Sequence, residues 1–290
     1  MKAIKLFTLM LVALMGLTAC TGDGSSNQKT TNTYAGYVFA SFKYIKNIPN
    51  SGYYGAGTLT VTVENGEYTI KLQNNRWGEA VFEKVTAGET ISGTGTLFTK
   101  DDEGKPSEKP ITLSGTLYQL TINAETLMDG GTEITFYMGH FPADKMVGTF
   151  SGTNSMMVGG YGPYETADLQ YTIAANEDGT LNLTLPAYQL SGVEMMGDLT
   201  LGSYTISNIA YSQEGAAFER AYGYDELEEY VKSENGNITL DGSYKFNKKS
   251  YIRILPVMLN ENTGKLGVKV ENVFSFGDMP LTIVSTFEGK

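Results

Sequence analysis

Apolar and polar residues alternate along most of this chain. In "TLTVTV" (Thr58 to Val63), Leu59, Val61 and Val63 share one face and the threonines the other. In "EYTIKL" (Glu67 to Leu72), Tyr68, Ile70 and Leu72 do the same. A period of two sends alternate side chains to opposite faces of a strand. Between the two segments lies Asn65-Gly66, whose residues accept the positive φ of a type I′ turn. The pattern predicts a β-hairpin.

The unit recurs. "LQYTIAANEDGTLNLTLP" (Leu169 to Pro186) sets alternating runs around Asp178-Gly179, with Leu181, Leu183 and Leu185 on one face. "TISG" (Thr90 to Gly93) has a counterpart in "TISN" (Thr205 to Asn208), and "ITLSGT" (Ile111 to Thr116) in "ITLDGS" (Ile238 to Ser243). "GGTEITFYM" (Gly130 to Met138) matches "GKLGVKVEN" (Gly264 to Asn272) by pattern. The matches keep their order, which predicts duplication. Each copy would hold roughly 115–140 residues, an ordinary domain size. Each shows about eight strands with short turns, as in an antiparallel barrel or sandwich. The 34 glycines, 19 tyrosines and 18% charged residues agree with strands over helices.

The stretch "MVGTFSGT" (146–153) falls at the junction. Its "TFSG" matches the terminal "TFEG" (Thr286 to Gly289), as a closing strand of the first copy would. It equally matches "TYAGY" (Thr33 to Tyr37), as an opening strand of the second would. The expectation is one shared or junctional strand with almost no linker.

The N-terminus departs from this pattern. Lys2 and Lys5 precede an apolar run from Leu6 to Leu17, too short for a good membrane span of ~20 residues. "LTAC" follows, ending at Cys20, the only cysteine. This resembles the lipobox of bacterial lipoproteins. The resemblance implies cleavage before Cys20, a palmitate-type acyl anchor on it, and, with Thr21 rather than Asp next, the outer membrane. Residues 21–33 are polar and rich in Gly, Ser and Thr, as in a flexible tether. The expected division is a signal peptide at 1–19, a tether at 20–33, one barrel at 34–146 and a second at 147–290.

"MVGTFSGT", "DGTLNLTLPAYQL", "MGDLTLGSYTISNI", "ITLDGS" and the final "TFEG" together resemble the calycin-like β-barrel domains of lipoproteins from anaerobic Gram-negative bacteria. The first copy carries "YAGYVF", "NGEYTIKL", "ITLSGT" and "TFSG", with Gln73 where the second has Pro186. The resemblance implies small barrels shaped like lipocalins and brings no catalytic residues. The fold class expected is all-β: two tandem antiparallel calycin- or lipocalin-like barrels. "FERAYGYDELEEYVKSENGN" (Phe218 to Asn237) adds one short helix in the second. Asp225 would cap it, Glu228 follows three residues on, and Leu227, Tyr230 and Val231 share a face. That helix would be a lid over a barrel mouth or a plug covering its end.

Charge narrows the function. The chain carries −11, and about −13 once the two signal lysines go, with 19 basic against 32 acidic side chains. Such a surface does not suit nucleic acid, whose phosphates need Lys and Arg. His140, the only histidine, would have to serve any Ser-His-Asp site, and it sits in a turn-like "MGHFPADKM". No G-x-S-x-G motif occurs, and one His with an acylated Cys leaves no usual zinc set. Asp101, Asp102 and Glu103 cluster in a Gly- and Pro-containing loop without EF-hand spacing. Trp77 beside Arg76 would either stack on a sugar or partner, or close a barrel end. Met156-Met157 and Met195-Met196 would line an adaptable apolar site or fill the core. Tyr53-Tyr54, Tyr161 and Tyr164 sit in Gly-rich surroundings suited to recognition.

These observations point to a non-catalytic envelope lipoprotein, anchored through Cys20, with no metal or cofactor. One function is to hold a small apolar or amphipathic ligand in a barrel mouth. The other is structural: filled barrels presenting Tyr-rich loops to an envelope protein partner. An enzyme acting on glycan or lipid is a third reading, since paired carboxylates meet only in three dimensions.

Overall fold

The Asn65-Gly66 turn forms as its residues dictate, with φ of 54° and 80°. It joins β2 (Tyr53–Glu64) to β3 (Glu67–Asn74), whose register runs from Glu64↔Glu67 to Thr58↔Gln73. The computed structural model describes residues 29–42, 52–83, 85–128, 130–194, 197–222, 250–260, 265–274 and 282–290.

The first half is an antiparallel meander. Around the hairpin run β1 (Lys29–Phe42), β4 (Gly78–Phe82), β5 (Thr86–Ala87), β6 (Ile91–Lys100), β7 (Pro106–Thr116), β8 (Gln119–Ala124) and β9 (Thr132–Met138). The sheet closes twice over, by β1 with β9 and by β4 with β6. Eight strands thus form a ring, with β5 a short spur on β6. Eight strands leave an interior that side chains alone can fill. Val38, Leu59, Phe82, Leu97, Leu120 and Phe136 fill it, each almost wholly buried.

The second half is a closed barrel of β10 (Gly148–Val158), β11 (Tyr161–Ala175), β12 (Leu181–Leu185), β15 (Tyr204–Ser212), β16 (Ala217–Tyr222), β17 (Ser250–Asn260), β18 (Lys265–Phe274) and β19 (Ile283–Gly289). A separate hairpin, β13 (Tyr188–Val193) with β14 (Gly197–Leu201), interrupts the meander after β12. The ring closes where β10 meets β19, with Gly152 opposite Gly289. That approach requires glycine: a Cβ at Gly152 would lie 1.9 Å from the Glu288 carbonyl oxygen. The fold is therefore all-β, as the alternation predicts.

The two rings pack through aromatic rings. Val38 and Phe136 point into the first ring, so their neighbours Tyr37, Phe39 and Tyr137 point out. With Tyr54, these four outward rings join the core of the second barrel, together with Phe141 and Met146 from the connecting segment. Tyr37 stacks on Tyr137 at 5.1 Å and meets Phe141 at 5.3 Å. One end of the second barrel is thus closed by the outer wall of the first.

Two expectations need correction. Residues 29–33 are not tether but strand, paired from Lys29↔Glu64 to Thr33↔Thr60. Threonine suits a pleated surface, and the long partner strand supplies cross-strand hydroxyls at 3.2 and 3.4 Å. Residues 146–153 are not a shared strand. Among the described residues β10 pairs with β11 and β19 and not with the first ring, and a segment including a 3-10 turn at Ala143–Met146 separates it from β9. The likeness of "TFSG" to "TFEG" reflects two neighbouring strands of one ring. Phe218 to Tyr222, which precede the expected helix cap at Asp225, belong to strand β16, with Phe218 and Tyr222 pointing into the core. Asp225, Leu227, Glu228, Tyr230 and Val231 lie outside the described residues.

Candidate functional site

A calycin-like site would be expected inside a barrel, yet side chains occupy the second barrel as well as the first. Tyr171 and Phe287 stack across it at 3.8 Å with planes 4° apart. Met156, Leu183, Ile206, Phe218 and Ile252 fill the space around them. Several buried polar groups there bond to one another, while the Tyr171 and Ser250 hydroxyls are buried without a hydrogen-bond partner among the described residues. Tyr222 Oη donates to Asn272 Oδ1 at 2.6 Å, and Asn272 Nδ2 donates to Tyr204 Oη at 3.1 Å. Ser285 Oγ donates to Asn154 Oδ1 at 2.6 Å. Burial pushes the Tyr204 hydroxyl up to about 12 and those of Tyr188 and Tyr222 well above the usual phenol range. A phenol so placed stays neutral and acts as a hydrogen-bonding core residue.

Open space lies between the barrels. A cleft of about 600 Å³ has Gly52, Tyr53 and Tyr54 of the first ring on one side. Leu255 to Leu259 of β17 form the other, with Lys269, Glu288 and Lys290 beside them. A second hollow of about 140 Å³ opens beyond Met258, against Phe39, Glu133 and Tyr137. Met258 therefore stands between two cavities.

The sequence explains both walls. Tyr53 is held edge-on against Trp77 at 4.8 Å, and the Arg76 guanidinium lies 5.1 Å above the Tyr53 ring. Tyr54 turns the other way, its hydroxyl 3.0 Å from that of Tyr211 in the second ring. Leu255, Val257 and Leu259 alternate along the outer end of β17, and each is only partly buried. Next to them runs a charged row: Arg253 with Glu219 at 3.6 Å and Glu271 at 3.7 Å, and Lys269 with Glu271 at 2.8 Å. Tyr251 donates to Glu219. Burial and that carboxylate push the Tyr251 hydroxyl up to about 12. The arrangement offers an apolar strip bordered by paired charges. Among the described residues, Glu288 is the one acid lining the cleft.

The residues singled out in the sequence distribute as follows. Tyr53 and Tyr54 line the cleft. Trp77 is buried against Phe42 and Tyr53, closing an end of the first ring, with Arg76 stacked above. His140 is exposed and packs on Tyr211 at 5.1 Å, in the junction between rings. Asp101 accepts the Glu103 and Lys105 amides at 3.0 and 2.8 Å, which makes the acidic cluster an exposed turn. Among the described residues no three His, Cys, Asp or Glu groups gather as a metal set. Met156 is core, Met157 is half-buried, and Met195-Met196 lie outside the described residues. Tyr161 is exposed, and Tyr164 accepts the Glu194 amide at 2.9 Å. Cys20 lies outside the described residues. Leu255 to Leu259 were not foreseen. Their one local signal is Pro256 inside an alternating strand, a residue confined to edges and bulges.

The model of the calycin-like β-barrel domain matches residues 146–290. No curated protein matches the sequence. Among solved structures, a Bacteroides fragilis protein provisionally assigned as an outer membrane protein is 17% identical, with a TM-score of 0.34, over 90% of this chain and 97% of that one. A Nostoc punctiforme protein of unknown function from the DUF3598 family is 10% identical, with a TM-score of 0.19, over 89% and 96%.

Proposed function

The chain belongs to the calycin-like β-barrel domain family, and from that premise we propose that it is a non-catalytic lipoprotein of the Gram-negative outer membrane, anchored by a lipid on Cys20, whose two filled barrels form a rigid platform for an envelope protein partner. The first ring, outside the family match, is read as a diverged tandem copy, since it repeats the eight-strand meander with the same first-to-last closure.

The observation that carries this reading is the distribution of space. Both rings are packed with buried side chains, and the 600 Å³ cleft lies between them. A ligand held in a barrel mouth would have to displace Tyr171, Phe287 and their neighbours. The cleft is assembled from both rings, and the aromatic junction holds them in one orientation. A surface of that kind suits recognition of another protein. The −11 charge sets nucleic acid aside as a partner. Short signal, basic start and Cys20 support the anchor.

Two measurements test this. Membrane fractionation of the full chain and of Cys20→Ser should move the protein from the lipid to the soluble fraction. Continued membrane association of Cys20→Ser would overturn the anchor. Native mass spectrometry of the soluble Cys20→Ser protein should give the mass of the bare polypeptide. A retained small apolar molecule would restore the ligand-binding reading.

A further inference from the structure

We infer that the cleft receives an extended polypeptide segment, which adds as a strand to the edge of β17; this rests on the partner-binding reading above and specifies its mode.

β17 is longer than its neighbour. β16 pairs with it only from Ser250 to Ile254, whereas β18 pairs with it from Tyr251 to Asn260. Residues 255–260 therefore have a strand partner on one side only among the described residues. Leu255 to Leu259 of this stretch line the cleft. Opposite them, residues 53–57 of β2 pair with β1 but not with β3. The Ala56 carbonyl of that stretch is met from the β3 side by Asn74 Nδ2 at 2.7 Å. Tyr53 and Tyr54 of β2 and Leu255 to Leu259 of β17, each paired on one side only among the described residues, thus border one cavity.

The hydrogen-bonding direction of β17 follows from the register. Ser151 and Lys290 exchange both backbone bonds, at 3.3 and 3.1 Å. In an antiparallel ladder the sides alternate residue by residue. Gly152 and Gly289 are therefore a non-bonded pair, and Gly289 turns to Val268. Val268 faces Gly289, and so it faces away from its other partner, Pro256. Pro256 then directs its backbone away from β18, to the side that β16 leaves unpaired beyond Ile254, and its missing N–H leaves no gap in the β18 ladder. Met258, two residues on, directs N–H and C=O the same way.

The edge therefore offers the Pro256 carbonyl and the Met258 amide and carbonyl, about 7 Å apart. A lipid or a sugar does not carry donors and acceptors at that repeat, and an extended peptide does. Strand addition is an established way for a sheet edge to bind such a segment. The five residues Leu255 to Leu259 present about 16 Å of edge, enough for a segment of five or six residues. Leu255, Val257 and Leu259 ask for apolar side chains on alternate positions. Pro256 withholds one donor, which limits indiscriminate pairing with other edges.

The test uses the soluble Cys20→Ser protein and a fluorescein-labelled hexapeptide of alternating valine and threonine with a polyethylene glycol tail. Anisotropy should show saturable binding. Two N-methylated versions, one on each alternating set of amides, should separate, one binding at least about tenfold more weakly, equivalent to about 1.4 kcal/mol. Met258→Pro should weaken the parent peptide about tenfold and Met258→Leu less than about twofold. The methylated peptides use unaltered β17, so they decide the matter even if Met258→Pro does not fold. Equal binding of both methylated peptides, or none by the parent, would overturn strand addition while leaving the anchor and filled-barrel results standing. A dimer in sedimentation that Met258→Pro abolishes would assign the edge to a second copy and overturn the partner assignment.

Discussion

Tyr54 and Tyr211 hold their hydroxyl oxygens 3.0 Å apart, and they belong to different rings. Around them Tyr37, Phe39, Tyr137 and Phe141 tie the outer wall of the first ring to the core of the second. Gln213 Nε2 adds a bond to the Gly36 carbonyl at 3.2 Å. The junction is therefore a continuation of the core.

A half-buried hydroxyl pair of this kind contributes about 1 kcal/mol net. Tyr54→Phe should lower stability by about that amount, because the Tyr211 hydroxyl loses a partner. The coupling to Tyr211→Phe in a double-mutant cycle by urea unfolding should lie at about 0.5–1.5 kcal/mol. Additive effects would mean that the two hydroxyls do not interact. The aromatic packing predicts instead one cooperative transition.

How much of this was legible in the sequence depends on distance along the chain. Asn65-Gly66 and the alternation on both sides of it are local, and hairpin, turn and register all follow from them. Ring closure is not local. "TFSG" and "TFEG" look like equivalent ends of two copies, but Gly152 and Gly289 face each other because both let two backbones approach. The same slip affects "TISG" and "TISN". The first lies mainly on β6 and the second on β15, while strand order matches β15 with β4. The inserted β13–β14 hairpin and unequal loops shift spacing without changing topology. The cleft was not legible, since Tyr54 and Met258 meet across some two hundred residues with no shared pattern.

The closure of the second barrel predicts a sharp difference between two glycines. At Gly66 a Cβ meets nothing within 4 Å, so Gly66→Ala should cost only the positive-φ strain, about 1 kcal/mol. At Gly152 a Cβ would sit 1.9 Å from the Glu288 carbonyl, and β10 and β19 must part. Gly152→Ala should cost about 3 kcal/mol. Urea midpoints of both variants check this, and equal costs would show that closure at Gly152 is loose.

Alkaline conditions should unfold the protein. Burial raises the hydroxyls of Tyr171, Tyr188, Tyr204 and Tyr222, the third to about 12. In the unfolded chain they ionise near about 10. Above that pH the unfolded state releases protons that the folded state retains, so stability falls as pH rises. Below it their contribution is fully present. Each such group removes up to about 1.4 kcal/mol per pH unit. Beyond the gradual ionisation of exposed tyrosines such as Tyr118 and Tyr161, phenolate absorbance should therefore show a cooperative step, coincident with loss of near-ultraviolet dichroism, between pH of about 10 and 12. Tyr222→Phe should make that decline shallower. Independent, gradual ionisation with the fold intact would contradict the burial of these hydroxyls.

Asn272 gives the most discriminating test of the filled barrel. It is 2% exposed, accepts from Tyr222 and donates to Tyr204. Asn272→Leu keeps the size and removes both bonds, which should cost about 2 kcal/mol at any pH up to about 9. Asn272→Asp behaves differently. Protonated, its carboxyl can accept from Tyr222 and donate to Tyr204 much as the amide does. Ionised, it places a charge among apolar side chains, and desolvation raises its folded pKa above the unfolded value of about 3.9. A raised carboxyl pKa keeps the proton on the folded state, so stability is present below about 3.9 and falls as pH climbs through the folded value. Urea unfolding of the two variants from acid to neutral pH should therefore diverge, with Asn272→Asp losing stability relative to Asn272→Leu. Parallel curves would mean that water reaches Asn272, and that the second barrel holds a hydrated cavity in place of a packed interior.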